Sequence, residues 1–282
     1  MAILNAPFDE RGWEGAVQSI ADATRSHSAQ LLGIGGPLLL PLNVFVGPPA
    51  AYRHHIDCPD LYGPCNWRIG SATVAMAIQH EADYAAYRHH HDTALYDDVA
   101  SDMDIPFGCQ SALLFDRHSM IGIAVHRGRR DGPCHADTLA VFADLRLHMA
   151  RAVRMQIALD GEAAELMVGD MEALHGATIL LDRLGCIAAL TPAAEPLLAD
   201  DGPLRLTGLA LELVDPSDNA RFHRLVGQML RSEVADAARL AIGRTAAQPK
   251  GRWNLYLTRL PRRRDHGLGF DPHLAVTVKP MA

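Results

Sequence analysis

Aromatic side chains are scarce in this chain, at 6% of 282 residues, so any place where they gather is informative. Positive charge is short as well: 26 Lys and Arg against 33 Asp and Glu leave a net charge of −7, which excludes a broad basic face for gripping a phosphate backbone. Long unbroken apolar runs are missing. The longest such stretch, residues 29–46, is interrupted by Gly33, Gly35, Gly36, Pro37, Pro41 and Asn43 and lies away from the terminus. It reads as two strands and a turn rather than a membrane span or a signal peptide. The five cysteines, Cys58, Cys65, Cys109, Cys134 and Cys186, are odd in number and irregularly spaced. With no export signal, they point to reduced thiols and a cytoplasmic protein.

Catalytic signatures are also wanting. There is no Gly-x-Ser-x-Gly elbow, no phosphate loop closing in Gly-Lys-Ser or Gly-Lys-Thr, and no glycine fingerprint between a strand and a helix. Leu32-Gly33-Ile34-Gly35-Gly36 runs into Pro37 and more apolar residues, which fits a hairpin turn. The string from His80 to Tyr84 begins like a helical zinc-protease motif, but Tyr84 stands where a second histidine would have to face the metal. His89, His90 and His91 point in three directions on a helix, the pattern of a solvated face. Arg262-Arg263-Arg264, followed by Asp265, reads as a solvated hairpin loop. These gaps predict a protein that is not an enzyme and uses no metal or cofactor. The alternative is a metal-binding protein or small enzyme built on the His/Cys-rich segment 54–135, with Cys58, Cys65 and His54 or His55 as first ligand candidates and His80, His91 and His135 behind them.

What is present describes a globular chain, with 49% hydrophobic and 21% charged residues and a mean hydropathy of zero. Its 282 residues suit two domains of ordinary size. In residues 9–27, Trp13, Val17, Ile20 and Thr24 lie three or four apart and make one face of an amphipathic helix. Strands are expected at 29–34 and 38–46, followed by a Pro- and Gly-rich stretch over 47–70 that is long for a plain connection. Helical pattern resumes near Ser71 and again over 83–103, before strands at 110–115 and 119–126 around an Asp116-Arg117-His118 turn. Residues 1–134 thus read as one α+β layer.

From His135 to about Met171 no proline interrupts a run of strong helix formers, which predicts one long helix or two broken near Asp160-Gly161. Phe142, Met149, Gln156 and Ala163 repeat every seven residues, as do Leu145, Ala152, Leu159 and Leu166. That seam can pair two subunits, or its first half can cover the domain's own sheet.

The third region opens with a β-branched and apolar run, Thr178-Ile179-Leu180-Leu181, and an Asp182-Arg183-Leu184-Gly185 turn where glycine supplies a positive φ. Thr191 and Pro192 predict an N-cap and first helical position, and Pro196 keeps that helix short, ending near Leu198. Phe222, Leu225, Val226, Met229 and Leu230 have helical spacing within 218–232, and strands follow at 237–243, 252–260 and 273–279. Two strands, helices, then three strands is the order of a PAS-like sensory module.

Four segments carry a wider resemblance: FDERGWEGAVQSIADAT, YDDVASDMDIPFGCQSALLFDRHSMIGIAVHRG, ADTLAVFADLRLHMARAV and ATILLDRLGCIAALTPAAEPLLADDGPLRL. Together they resemble the sensory part of LuxR-type transcription regulators, over most of the chain except roughly residues 47–80. The resemblance implies an α+β fold of two PAS/GAF-like domains, each an antiparallel sheet with flanking helices, joined by a long helix. It divides the chain into a ligand-sensing domain at 1–134, a connecting helix at 135–175 and a PAS-like domain at 176–282. It also implies a homodimer whose output is transcriptional, touching DNA only through a helix-turn-helix domain that would begin just after Pro280 and is not in this chain. Thr191 stands where the family often carries Asn.

The scarce aromatics gather between Phe45 and Cys109, at Tyr52, Tyr62, Trp67, Tyr84, Tyr87, Tyr96 and Phe107. Flat rigid side chains with polar tips suit an apolar pocket that orients a small guest. Tyr84, Tyr87 and His91 share a helix face. The expected ligand-binding set is Tyr52, Trp67, Tyr84, Tyr87, His91, Tyr96 and Cys109, with a small aromatic or amphipathic effector as partner. The bland alternative for each is a core side chain whose polar tip reaches water.

Overall fold

The computed structural model describes residues 3–9, 12–35, 42–47, 59–115, 119–199, 202–231, 236–243, 252–261 and 270–281. The architecture is α+β: two antiparallel sheets with flanking helices and one long helix, α5 (Ala136–His175), that contributes to both compact units, Met1–Gln156 and Ile157–Ala282.

In the first unit, α1 (Gly12–Ala23) buries Trp13, Val17 and Ile20 against β1 (Ser28–Gly35) and β2 (Leu42–Val46), as the period of its apolar residues predicts. With β3 (Phe107–Phe115) and β4 (Ser119–Arg127) these strands form a four-stranded sheet in the order β2-β1-β4-β3. Register decides which side chains share a face. Ser28 lies opposite His126, Gln30 opposite Ala124 and Leu32 opposite Gly122, while Gln110 of β3 also lies opposite Ala124. The alternate set, Ala29, Leu31, Ile123 and Val125, is fully buried on the other face. The first part of α5 buries Phe142, Met149, Ala152 and Val153, and Trp13 Nε1 donates to Gln156 Oε1 at 3.4 Å.

Three short helices complete this unit: α2 (Trp67–Ser71), α3 (Glu81–His90) and α4 (Ala94–Asp102). Two expectations are corrected. Ser71 ends a helix instead of starting one, because the next residues run along the edge of β3. There Met76 N donates to Ala112 O at 2.7 Å and Gln79 exchanges backbone bonds with Gln110. Nor is 83–103 one helix: Asp92 accepts from Ala94 N at 3.2 Å and Thr93 Oγ1 donates to Asp97 at 3.0 Å, so a new helix starts there.

The second unit holds a five-stranded sheet of β5 (Thr178–Leu181), β6 (Ile187–Leu190), β9 (Ala237–Ile242), β10 (Trp253–Arg259) and β11 (Leu274–Pro280) in the order β6-β5-β11-β10-β9. Numbered within the sheet this is 2-1-5-4-3, the PAS-like order. Gly185 takes φ +80° in the β5–β6 turn, and Asp182 Oδ1 closes that turn by accepting from Leu184 N and Cys186 N at 2.8 and 2.9 Å. Helix α6 (Pro216–Leu230) is capped by Asp215, which accepts from Ser217 N and Asp218 N. Its Phe222, Val226 and Met229 join Ile179, Leu181, Leu255, Leu257, Val276 and Val278 in one apolar core. The other sheet face, at Leu180 and Ala275, is covered by Ala163, Ala164, Met167 and Met171 of α5.

Two details differ from the expected pattern. The turn at Pro192–Leu198 is a 3-10 helix, and Thr191 caps nothing: its hydroxyl accepts from Thr178 N at 2.9 Å and donates to Gly176 O at 3.0 Å, tying the two strand ends together. A further hairpin, β7 (Leu204–Thr207) with β8 (Ala210–Leu213), was not expected from the pattern, though Gly208 at φ +62° supplies its turn. Along α5 the chain is helical through Asp160 and Gly161. Its seam is internal in the first half, with Phe142, Met149 and Gln156 buried, while the exposed Leu147, Ile157, Leu166 and Leu174 are spread around the helix rather than aligned. Among the described residues no helix is long and apolar enough to cross a membrane.

Candidate functional site

The face of the first sheet that carries Gln30, Gln110 and His126 is not filled by hydrocarbon. Between it and α2 and α4 lies a small cavity, partly open to solvent, lined on the sheet side also by Leu32, Met120, Gly122 and Ala124. Helix α2 and its cap provide Asn66, Arg68 and Ile69, and α4 provides Tyr96.

Local chemistry fixes α2 in place. Asn66 accepts from Arg68 N and Ile69 N and donates its own amide to Leu61 O at 2.9 Å. Trp67, 1% exposed, donates through Nε1 to Asp97 Oδ1 at 3.0 Å, and Arg88 pairs with the same oxygen at 2.8 Å. Gly70 lets the Tyr87 ring approach the α2 backbone, and a Cβ there would displace the end of that ring. Gln110 of β3 donates its amide to Arg68 O, so the helix is stitched to the sheet.

Arg68 is the centre of this arrangement. The residue is 3% exposed, and its guanidinium lies 4.4 Å from the Trp67 ring centroid and 5.1 Å from that of Tyr84. Nη2 donates to the carbonyls of Ile105 at 2.6 Å and Phe107 at 3.1 Å, and the Tyr84 and Tyr96 hydroxyls lie within hydrogen-bonding reach of the guanidinium. Burial holds the Tyr84 and Tyr96 hydroxyls well protonated, pushing both pKa values up against the opposing pull of Arg68. His126 is held neutral chiefly by burial and secondarily by the nearby positive charge of Arg68 and by His27. Its Nδ1 lies 3.2 Å from Ser28 Oγ.

Trp67, Tyr84 and Tyr96 of the expected ligand set are brought together, with ring centroids 4.7 and 5.1 Å apart about Trp67. Of these Tyr96 lines the cavity, and Trp67 and Tyr84 flank Arg68. Tyr87 stacks on His91 at 3.8 Å and donates to Pro64 O at 3.0 Å, a surface pair outside the cavity lining. Cys109 is fully buried beside Cys134, which with desolvation pushes its thiol pKa up; by strand alternation it faces away from Gln110. Tyr52 lies outside the described residues, as do His54, His55, Cys58 and the Arg262-Arg263-Arg264 run. Among the described residues no group of three or more His, Cys, Asp or Glu is placed to hold a metal, and His89, His90 and His91 are exposed.

Sequence reasoning missed Arg68, Asn66, Gln30, Gln110 and His126. Their signal was there: Gln30 and Gln110 are amides in mid-strand among apolar neighbours, and Arg68 follows a tryptophan directly.

No family model and no curated protein matches the chain. Solved structures similar to it include the ligand-binding domain of VqsR from Pseudomonas aeruginosa, at 13% identity and TM-score 0.35, covering 52% of this chain and 93% of that one. Escherichia coli SdiA is similar at 13% identity and TM-score 0.34, covering 55% of this chain and 76% of that one. The sensor region of a sensor histidine kinase is similar at 14% identity and TM-score 0.27, covering 94% and 89%. Likeness this distant assigns neither a family nor a ligand.

Proposed function

We propose that this chain senses a small molecule, which binds in the cavity of the first unit and is not chemically transformed there. The observation that carries the reading is the polar face of the first sheet, where Gln30, Gln110 and His126 line a partly open cavity together with Arg68 and Tyr96. Protein interiors are ordinarily close-packed, so a polar and incompletely filled sheet face suits the orientation of a small guest. A binding role is favoured over catalysis by the same inventory. Among the described acids beside the cavity, Asp97 is already shared by Trp67, Thr93 and Arg88 and so is not free to act as a base.

The output end of the reading rests on the segments that resemble LuxR-type regulators. We infer a cytoplasmic homodimer that reports cavity occupancy through α5 to the PAS-like unit, and to DNA through a helix-turn-helix domain outside this chain. The first half of the heptad seam is buried within its own unit, so dimer contacts would fall on the later part of α5 or elsewhere.

Native mass spectrometry of the protein taken directly from its own host tests the reading. The expected spectrum is a dimer carrying a small organic compound, released unchanged on denaturation. A stoichiometric metal, or conversion of the compound during incubation, would overturn it in favour of the metal-protein or enzyme alternative.

A further inference from the structure

We propose that Cys109 and Cys134 form a redox-sensitive dithiol, which a peroxide closes to a disulfide joining β3 to the start of α5. Such a pair senses oxidant and needs no occupied cavity.

Three ties bring these two cysteines together. Strand β4 ends at Arg127, which lies opposite Phe107, so the segment that follows starts beside the first residues of β3. Arg127 then folds that segment back: Nη2 donates to Asp131 O at 2.8 Å and Nε to Gly132 O at 2.9 Å, and Gly128 N donates to Asp131 Oδ2 at 3.1 Å. Finally, Glu81 Oε1 accepts from Gly108 N at 3.0 Å and from Cys134 N at 2.9 Å. One carboxylate oxygen thus clamps the residue before Cys109 and the backbone of Cys134 itself. The two thiols meet in a side-chain hydrogen bond, and both lie near enough to the Tyr84 hydroxyl to oppose its ionisation.

Exposure gives the two thiols different tasks. Cys109 is fully buried, whereas Cys134 is partly exposed, and neither is in a disulfide. The Cys134 thiol therefore meets the oxidant first. Having lost its proton to water, its sulfur attacks one peroxide oxygen; the O–O bond breaks, leaving a sulfenic acid on Cys134 and a hydroxide that takes up a proton. The Cys109 sulfur then displaces the hydroxyl from the sulfenic sulfur, and its own proton leaves with that hydroxyl as water. Two thiols are oxidised, one peroxide is reduced and two waters are released. The hydrogen bond to Cys134 and burial push the Cys109 pKa up, so Cys109 stays protonated as the resolving partner instead of attacking peroxide itself. Because α5 starts at Ala136, the new bond fastens the base of that helix to β3, whose next residue, Gln110, lines the cavity. In a reducing compartment such a bond is transient, which suits a signal rather than a staple.

Peptide mapping of the whole folded chain after graded hydrogen peroxide, without reductant, tests this. Trypsin leaves Cys109 in 89–117 and Cys134 in 131–146, with no other cysteine in either peptide. The two peptides are expected to appear joined, two hydrogens lighter, at least about tenfold sooner than any other cysteine pair, because the second step is intramolecular. Dithiothreitol should separate them. In Cys109→Ser the sulfenic acid should persist on Cys134 and be trapped by dimedone, and in Cys134→Ser the Cys109 thiol should stay reduced. Should either variant fail to fold, the wild-type map decides by itself. Both peptides remaining reduced, joining only after urea unfolding, preferential linkage to Cys58, Cys65 or Cys186, no trapped Cys134 in Cys109→Ser, or Cys109 oxidised at the wild-type rate in Cys134→Ser would each overturn the dithiol. None of these outcomes bears on guest binding, which the host-derived compound tests separately.

Discussion

The two sheets of this chain treat their helix-covered faces in opposite ways. In the second unit the face carrying Ile179, Leu181, Leu255, Leu257, Val276 and Val278 is packed by Phe222, Val226 and Met229 into continuous hydrocarbon. In the first, the face toward α2 and α4 lines a partly open cavity with Gln30, Gln110 and His126, and Gln110 reaches across to the Arg68 carbonyl. Each fully buried aliphatic or aromatic side chain contributes roughly 1.5–3 kcal/mol, so the second arrangement maximises stability and leaves no room. The first forgoes part of that stabilisation and gains directional groups. On the proposed reading one chain divides its labour, with recognition in the first unit and a packed body in the second.

Phe222→Ala gives the largest expected effect and tests the packed half of this contrast. It removes a 1% exposed ring from the middle of the core and should cost about 3–5 kcal/mol in urea unfolding. A loss under about 1 kcal/mol would mean that the second unit also has slack volume, and the contrast would fail. Asp97→Ala comes next. It leaves Trp67 Nε1 and Arg88 without their acceptor and should lower stability by about 1–3 kcal/mol while loosening α2, so guest affinity should drop alongside stability. If calorimetry shows the stability loss with affinity unchanged, the platform under Arg68 does not depend on Asp97.

Much of this contrast was legible in sequence on the apolar side and little on the polar side. The alternation of Trp253, Leu255 and Leu257 and the spacing of Phe222, Val226 and Met229 follow from burial, which imposes a period on every residue it touches, and both core faces came out as expected. The aromatic crowding at Trp67, Tyr84 and Tyr96 marked the correct region, because large rings must pack somewhere. The polar cavity wall has no period of its own. Gln30, Gln110 and His126 are 80 and 16 residues apart and converge only through strand register, and Arg68 reaches them from a five-residue helix whose cap, Asn66, is unremarkable in the string. Tyr87, by contrast, looked equivalent to Tyr84 on its helix, yet it turns outward to stack on His91. A helical repeat tells which residues share a side, not what waits opposite.

Protonation sharpens the same comparison with a smaller effect. His126 has its pKa lowered in the folded state by burial, with Arg68 and His27 adding repulsion, whereas the unfolded chain titrates it near its ordinary value of about 6.5. The unfolded state therefore binds the proton more readily. This contribution to stability is intact above about pH 6.5 and is lost progressively as the pH falls below it. In urea midpoints measured between about pH 7.5 and pH 5, His126→Gln should flatten the acid decline, and a wild-type slope preserved in that variant would show that His126 is charged or exposed in the fold.

The finest test makes one substitution in both units. Ala124 sits on β4 facing the cavity, between Gln30 and Gln110, whereas Ala194 is fully enclosed by the second core. Three added carbon atoms at Ala194 have no volume to enter, so Ala194→Leu should cost about 1–3 kcal/mol through forced rotamers and backbone shifts. At Ala124 the same atoms enter space that the chain itself does not occupy, and Ala124→Leu should lie within about 1 kcal/mol of wild type, because filling unoccupied volume adds apolar contact as it removes freedom. The two variants should part again in binding. Ala124→Leu is expected to abolish uptake of the guest with the fold intact, and Ala194→Leu to leave uptake unchanged at temperatures where the protein stays folded. Equal stability losses at the two sites would show that the first unit's space closes in solution, and that the difference between the units is one of composition rather than of room.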